Sequence, residues 1–164
     1  MKVKITLVPL LVLLLAAVAG AQTKISGTVV CAKPDQQQAL EVGDHPGHIL
    51  AVSQGKCTWS KPMEIAGTQT KEGQVTISTE NHGNKGNSHG YAVGTMANGD
   101  KFFVRLQGAA TLKDGAVDTE EGKWTMTGGT GKLKGIKGGG MYKGKGGPEG
   151  TTAEVEGEYQ FPTK

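Results

Sequence analysis

Aromatic residues are scarce in this chain, cysteines number two, and no segment carries the spacing of an amphipathic helix. Three phenylalanines, three tyrosines and two tryptophans stand among 164 residues, so any small closed fold has a thinly filled interior. The cysteines do not form a C-x-x-C pair, which removes the usual half of a structural zinc site. There is no G-x-S-x-G elbow and no lone activated cysteine, so the familiar nucleophilic constellations are missing. Six prolines and twenty-seven glycines stay below the share typical of low-complexity disorder. A folded chain of short strands is what these absences leave.

The first twenty-one residues read as an export signal. Lys2 and Lys4 precede an apolar run from Ile5 to Val18, and Ala19-Gly20-Ala21 supplies an A-x-A cleavage site, so cleavage is expected between Ala21 and Gln22. An apolar run of about fourteen residues is short of the roughly 20 that span a bilayer. Removing this segment leaves residues 22–164 as one expected domain without a membrane span. Two of the eighteen basic residues and none of the fifteen acids fall in the leader, so the remainder carries a charge of only +1. That near-neutrality argues against nucleic acid as a partner. In an exported chain, placed in the periplasm or outside the cell, Cys31 and Cys57 are expected to pair as a disulfide.

Short alternating segments fill the rest. Lys24 to Cys31 reads as a strand, Pro34 to Pro46 as a polar connection, and His48 to Trp59 as a strand with a bulge at Gly55. Val75 and Ile77 alternate with polar neighbours. Gly90 to Met96 and Lys101 to Gln107 flank Asn98-Gly99, a type I′ hairpin signal, and Ala109 to Leu112 reads as a further short strand. In the last strand Ala153, Val155, Tyr159 and Phe161 face one way and Glu154, Glu156 and Glu158 the other. Eight or nine strands joined by short turns imply an all-β fold, a closed antiparallel β-barrel of about eight strands with a central cavity.

Seven glycines crowd into the fifteen residues from Gly128 to Tyr142, directly behind the strand-like Lys123–Thr127. This density suggests a tight corner between two strands. Gly139 to Lys145 formally spells GxxxxGK, but Gly146 stands where Ser or Thr is needed, and no helix follows to face a phosphate. The run Gly128-Gly129-Thr130-Gly131-Lys132-Leu133-Lys134-Gly135-Ile136-Lys137-Gly138 resembles the GGTGxFxGxxG signature of the allene oxide cyclase and dirigent barrel superfamily, with Leu133 in place of the aromatic. The resemblance implies an eight-stranded barrel around a cavity. No motif in this chain matches the residues on which that superfamily's cyclisation or radical-coupling chemistry depends.

Function is accordingly expected in the barrel interior or at its mouths. The leading expectation is a noncatalytic binder of a small apolar molecule, needing no cofactor, with Trp59, Tyr91, Trp124 and Tyr142 lining the interior and Arg105 as a polar contact. A cyclase or isomerase using the same cavity is the alternative, and it requires an ionisable side chain pointing inward. A third possibility is a metal site made from His45, His48, His82 and His89, with Asp44 as an oxygen ligand, should their loops converge. Solvated loop histidines are the plainer reading. Oligomeric state is not encoded in any of these patterns.

Overall fold

The structure, a computed structural model, describes residues 22–162; the export signal expected at 1–21 lies outside them. Ten strands follow in order: β1 (Thr23–Ala32), β2 (Gln36–Glu41), β3 (His48–Lys61), β4 (Glu64–Ile65), β5 (Thr68–His82), β6 (Lys85–Met96), β7 (Lys101–Lys113), β8 (Ala116–Gly129), β9 (Lys137–Gly147) and β10 (Gly150–Gln160). Eight of them close a barrel in the order β3-β1-β10-β9-β8-β7-β6-β5, with β5 returning to pair with β3. Every pairing is antiparallel. β2 extends the β3 edge beyond the end of β1, and β4 is a two-residue clip on β5. Closure removes the unpaired edges that an open sheet of such strands would expose.

Period-two alternation decides which side chains enter the lumen. On β7 and β8, Phe102, Val104, Trp124 and Met126 are buried while Lys101, Arg105, Lys123 and Thr125 are exposed. Bulky inward residues rest on glycines of other strands: the Phe102 ring occupies the space a side chain at Gly94 of the adjacent β6 would need, and Trp124 does the same at Gly157 of β10, two strands away. The many glycines therefore do two jobs. Some turn the chain, and others leave room for a large neighbour inside a narrow barrel.

The lumen has two unlike halves. At the end bearing the 129–137 connection and the 96–101 turn, Ile25, Met63, Ile65, Met96, Phe102, Val104, Trp124, Met126, Leu133, Ile136 and Tyr159 form one buried cluster. The glycine-rich corner closes this end. Residues Gly131–Leu133 make a single 3-10 turn, which tucks Leu133 and, three residues on, Ile136 beneath the barrel at 1% and 0% exposure. Asp100 anchors the corner by accepting the Lys132 N–H at 3.1 Å. The Thr130 Oγ1 accepts the Lys101 N–H at 2.8 Å. Burying each such aliphatic side chain contributes about 1.5–3 kcal/mol, so this corner plugs the barrel as well as turning the chain.

Several local expectations change. Pro34–Pro46 is not wholly a connection, because β2 forms within it; its mostly polar and fully exposed pattern hides a strand whose pairing is to β3 alone. Gly55 continues the β3–β5 register without a bulge, and the irregularity falls instead between Thr28 and Val29 of β1. Ala109–Leu112 is the end of β7 rather than a separate strand. At the 96–101 turn Gly99 has φ +87° while Asn98 stays on the negative side, so the turn is not type I′. Both-positive dihedrals occur at Asp114 and Gly115, +52° and +78°, in the β7–β8 turn.

Cys31 and Cys57 sit directly opposite one another where β1 meets β3, and they form the disulfide. No helix among the described residues is long and apolar enough to cross a membrane.

Candidate functional site

The upper half of the lumen, toward the 82–85, 113–116 and 147–150 turns, keeps the inward alternation but not the burial. Val75, Ile77, Ser88, Leu106, Ala110, Leu112, Glu120 and Tyr142 continue the inward face, and each is only partly buried. The central cavity expected from sequence does not extend through the lower half, which side chains fill; in the upper half the inward side chains are only partly buried.

Tyr142 and Glu120 are the polar centre of this region. Glycines make space for both. The Tyr142 ring lies across Gly108 and Gly122, and the Glu120 side chain lies against Gly144, where a Cβ would stand 2.7 Å from its Cγ. Burial pushes the Glu120 carboxyl above its ordinary range. Burial also raises the Tyr142 phenol; the nearby Glu120 charge adds to that, and a hydrogen bond with the Ser88 hydroxyl opposes it. A carboxyl held toward its neutral form beside a phenol can donate or receive a proton, and can bind a polar group at the end of an apolar molecule. Neither Glu120 nor Ser88 stands out in the sequence. Parity is the signal that finds them: Glu120 and Gly122 continue the inward face of Trp124 and Met126, and Ser88 that of Gly90 and Ala92.

The expected lining residues divide. Trp59 is half-buried and packs against the lower cluster. Trp124 is buried, and its Nε1–H donates to the Met141 carbonyl at 3.2 Å and the Glu156 carbonyl at 3.1 Å, so it is a structural wedge. Tyr142 points inward, across Gly108 and Gly122. Tyr91 and Arg105 do not: they are cross-strand partners on the outer surface, with Tyr91 62% exposed, because each alternates with the inward Gly90, Ala92, Val104 and Leu106.

Three of the four histidines meet at the rim of the same end. His48 of β3 is the register partner of His82 of β5. A turn at Asp44–Gly47 folds His45 onto them. The Gly83 N–H donates to the Gly47 carbonyl at 3.0 Å, tying this turn to the β5–β6 turn. The His48 ring stacks on His82 at 4.2 Å and on His45 at 4.9 Å between centroids. One ligand atom from each of the three lies within 4.8 Å of the others. Asp44 Oδ1 takes His48 Nδ1 at 2.7 Å and Glu80 Oε1 takes His48 Nε2 at 3.0 Å. The bond to Asp44 is the main reason His48 holds its proton above the usual imidazole range, aided by Glu80; the same bond lowers Asp44. His89 is elsewhere, exposed on the outer face between Ser78 and Gln107.

No family model and no curated protein matches the chain. Among solved structures it is similar to one titled pyocyanin demethylase, at 16% identity and a TM-score of 0.43, over 80% of this chain and 98% of that one. At that distance the likeness carries no argument about activity.

Proposed function

We propose that this is an exported barrel that binds a small, largely apolar molecule in the upper half of its lumen, with a polar end of the ligand meeting Tyr142, Glu120 and Ser88. One observation carries the reading. A cluster of buried side chains packs the lower half, whereas Val75, Ile77, Leu106, Leu112, Glu120 and Tyr142 of the upper half, apolar and polar alike, are only partly buried. A barrel built only for stability has no need of a carboxyl and a phenol facing inward over glycines, because each resists desolvation. Export is supported by the leader-like residues 1–21 and by a disulfide of the kind that persists in oxidising compartments.

A second reading is favoured by one specific residue. Glu120 is an inward ionisable group whose proton is favoured by burial, which is what a cyclase or isomerase of this architecture requires as an acid. The Gly128–Gly138 corner, with its resemblance to the allene oxide cyclase and dirigent superfamily, supports the same reading.

The test of the shared site uses the neutral fluorophore N-phenyl-1-naphthylamine. Ala110→Trp fills the upper lumen without touching the lower cluster, and is expected to weaken dye binding at least tenfold. Ala109→Trp, one residue away and facing outward, is expected to leave it unchanged. Equal binding by both variants and the unaltered chain would overturn the assignment.

A further inference from the structure

The histidine cluster is separate from the lumen reading and does not depend on it. We propose that His48, His82 and Glu80, with His45 completing the set, form a binding site for a divalent transition-metal ion at the barrel rim. Glu80 Oε1 stands 3.0 Å from His48 Nε2 and 3.5 Å from His82 Nε2. Ligand atoms about 2.0–2.1 Å from a tetrahedral metal are about 3.3–3.4 Å apart. Both contacts of Glu80 Oε1 therefore already lie near the edge length of such a shell, and an ion placed there replaces the hydrogen bond between His48 and Glu80. The third imidazole offers a nitrogen within 4.8 Å of the other two. His45 and His82 side chains are 49% and 47% exposed, so their rings are free to turn from stacking toward coordination.

The surroundings suit the task. Asp44 accepts from His48 Nδ1 at 2.7 Å, which leaves Nε2 for a metal and holds the ring in place, the carboxylate–histidine–metal arrangement that tunes many such sites. His48 itself is 9% exposed and is fixed by the β3–β5 register, so one ligand is rigid while two adapt. Imidazole nitrogens with a single carboxylate select zinc, copper or nickel over calcium and magnesium, which prefer oxygen. The two carboxylates, Asp44 and Glu80, balance the charge of a divalent ion among neutral imidazoles. The half-exposed rim also leaves the ion in contact with water, so a coordination position can exchange.

Calorimetric titration of the disulfide-bonded full chain with zinc tests the assignment, with cobalt as a spectroscopic probe. One equivalent is expected to bind, with visible cobalt bands of low symmetry. His45→Ala and His82→Ala alter exposed side chains and are expected to weaken zinc binding at least tenfold each. Glu80→Gln is expected to do the same, and His89→Ala to have no effect. Circular dichroism and melting of each variant establish that it is folded. The site is refuted if the folded His45→Ala/His82→Ala double variant binds zinc as tightly as the unaltered chain, or if His89→Ala costs as much as His82→Ala.

Discussion

Replacing both cysteines by alanine tests how the barrel is held at its first seam. β1 contacts β3 through only four register pairs, Thr28–Lys61, Val29–Trp59, Val30–Thr58 and Cys31–Cys57, before β2 takes over that edge. The disulfide links residues separated by 26 positions. In the chain-entropy treatment, closing a loop of that length removes enough freedom from the unfolded chain to stabilise the fold by about 3.5 kcal/mol. For a domain of this size, that loss lowers the melting temperature by about 10 °C. Alanine is chosen because Cys57 is 7% exposed, and a serine hydroxyl there would add a desolvation cost unrelated to the bridge. Differential scanning calorimetry of Cys31→Ala/Cys57→Ala against the oxidised chain gives the difference directly. Reduction of the unaltered chain should reproduce most of it. A drop below about 3 °C, with unchanged far-ultraviolet dichroism, would refute the reasoning, because it would mean that the unfolded chain is scarcely less restricted without the bridge.

Two further outcomes concern the plug and the lumen. Ile136→Ala, at a site with 0% exposure, should destabilise the protein by about 2–5 kcal/mol in urea unfolding, against less than about 0.5 kcal/mol for the outward Tyr91→Ala; similar losses at the two sites would deny the corner its closing role. Burial raises the Glu120 carboxyl above its ordinary 4.5, so the fold favours its protonated form, and that advantage is lost as pH rises through the raised value. Glu120→Gln should therefore be more stable than the unaltered chain at neutral pH and indistinguishable from it well below the ordinary glutamate range. An equal difference at both pH values would show that the carboxyl is not the cause.

Much of the architecture was legible because alternation is a local property. β10 and the β6–β7 hairpin could be read from residue parity alone, since one apolar face and one charged face leave a single register that buries the right atoms. β2 was hidden for the opposite reason. Gln36–Glu41 exposes all six residues, so its strand character comes entirely from backbone pairing with β3. The type I′ expectation at Asn98-Gly99 failed because that sequence also fits a longer turn with only the glycine at positive φ, and the Met96–Asp100 backbone bond selects it.

The candidate sites were less legible. Tyr142 reads from sequence as an aromatic of the interior, but Glu120 does not stand out, because a carboxylate beside another in Glu120-Glu121 looks like a solvated face until the β8 parity is followed back from Trp124. Tyr91 is expected inward on residue type but lies outward on parity, and Arg105, which alternates with Phe102, Val104 and Leu106 in the sequence, lies outward with it. The histidines could be named from sequence, but their meeting could not.

By itself the chain determined that a β-barrel forms, since its periodicity, turn residues and paired cysteines each act over short distances. It also marked the glycine corner as a place where two strands turn. Tertiary structure alone decided that this corner seals one end of the lumen, that glycines on β6 to β9 clear space for Phe102, Tyr142 and Glu120, and that His45, His48 and His82 share one rim while His89 does not. Those outcomes depend on register between strands far apart in sequence, and register is set by how all eight strands close at once.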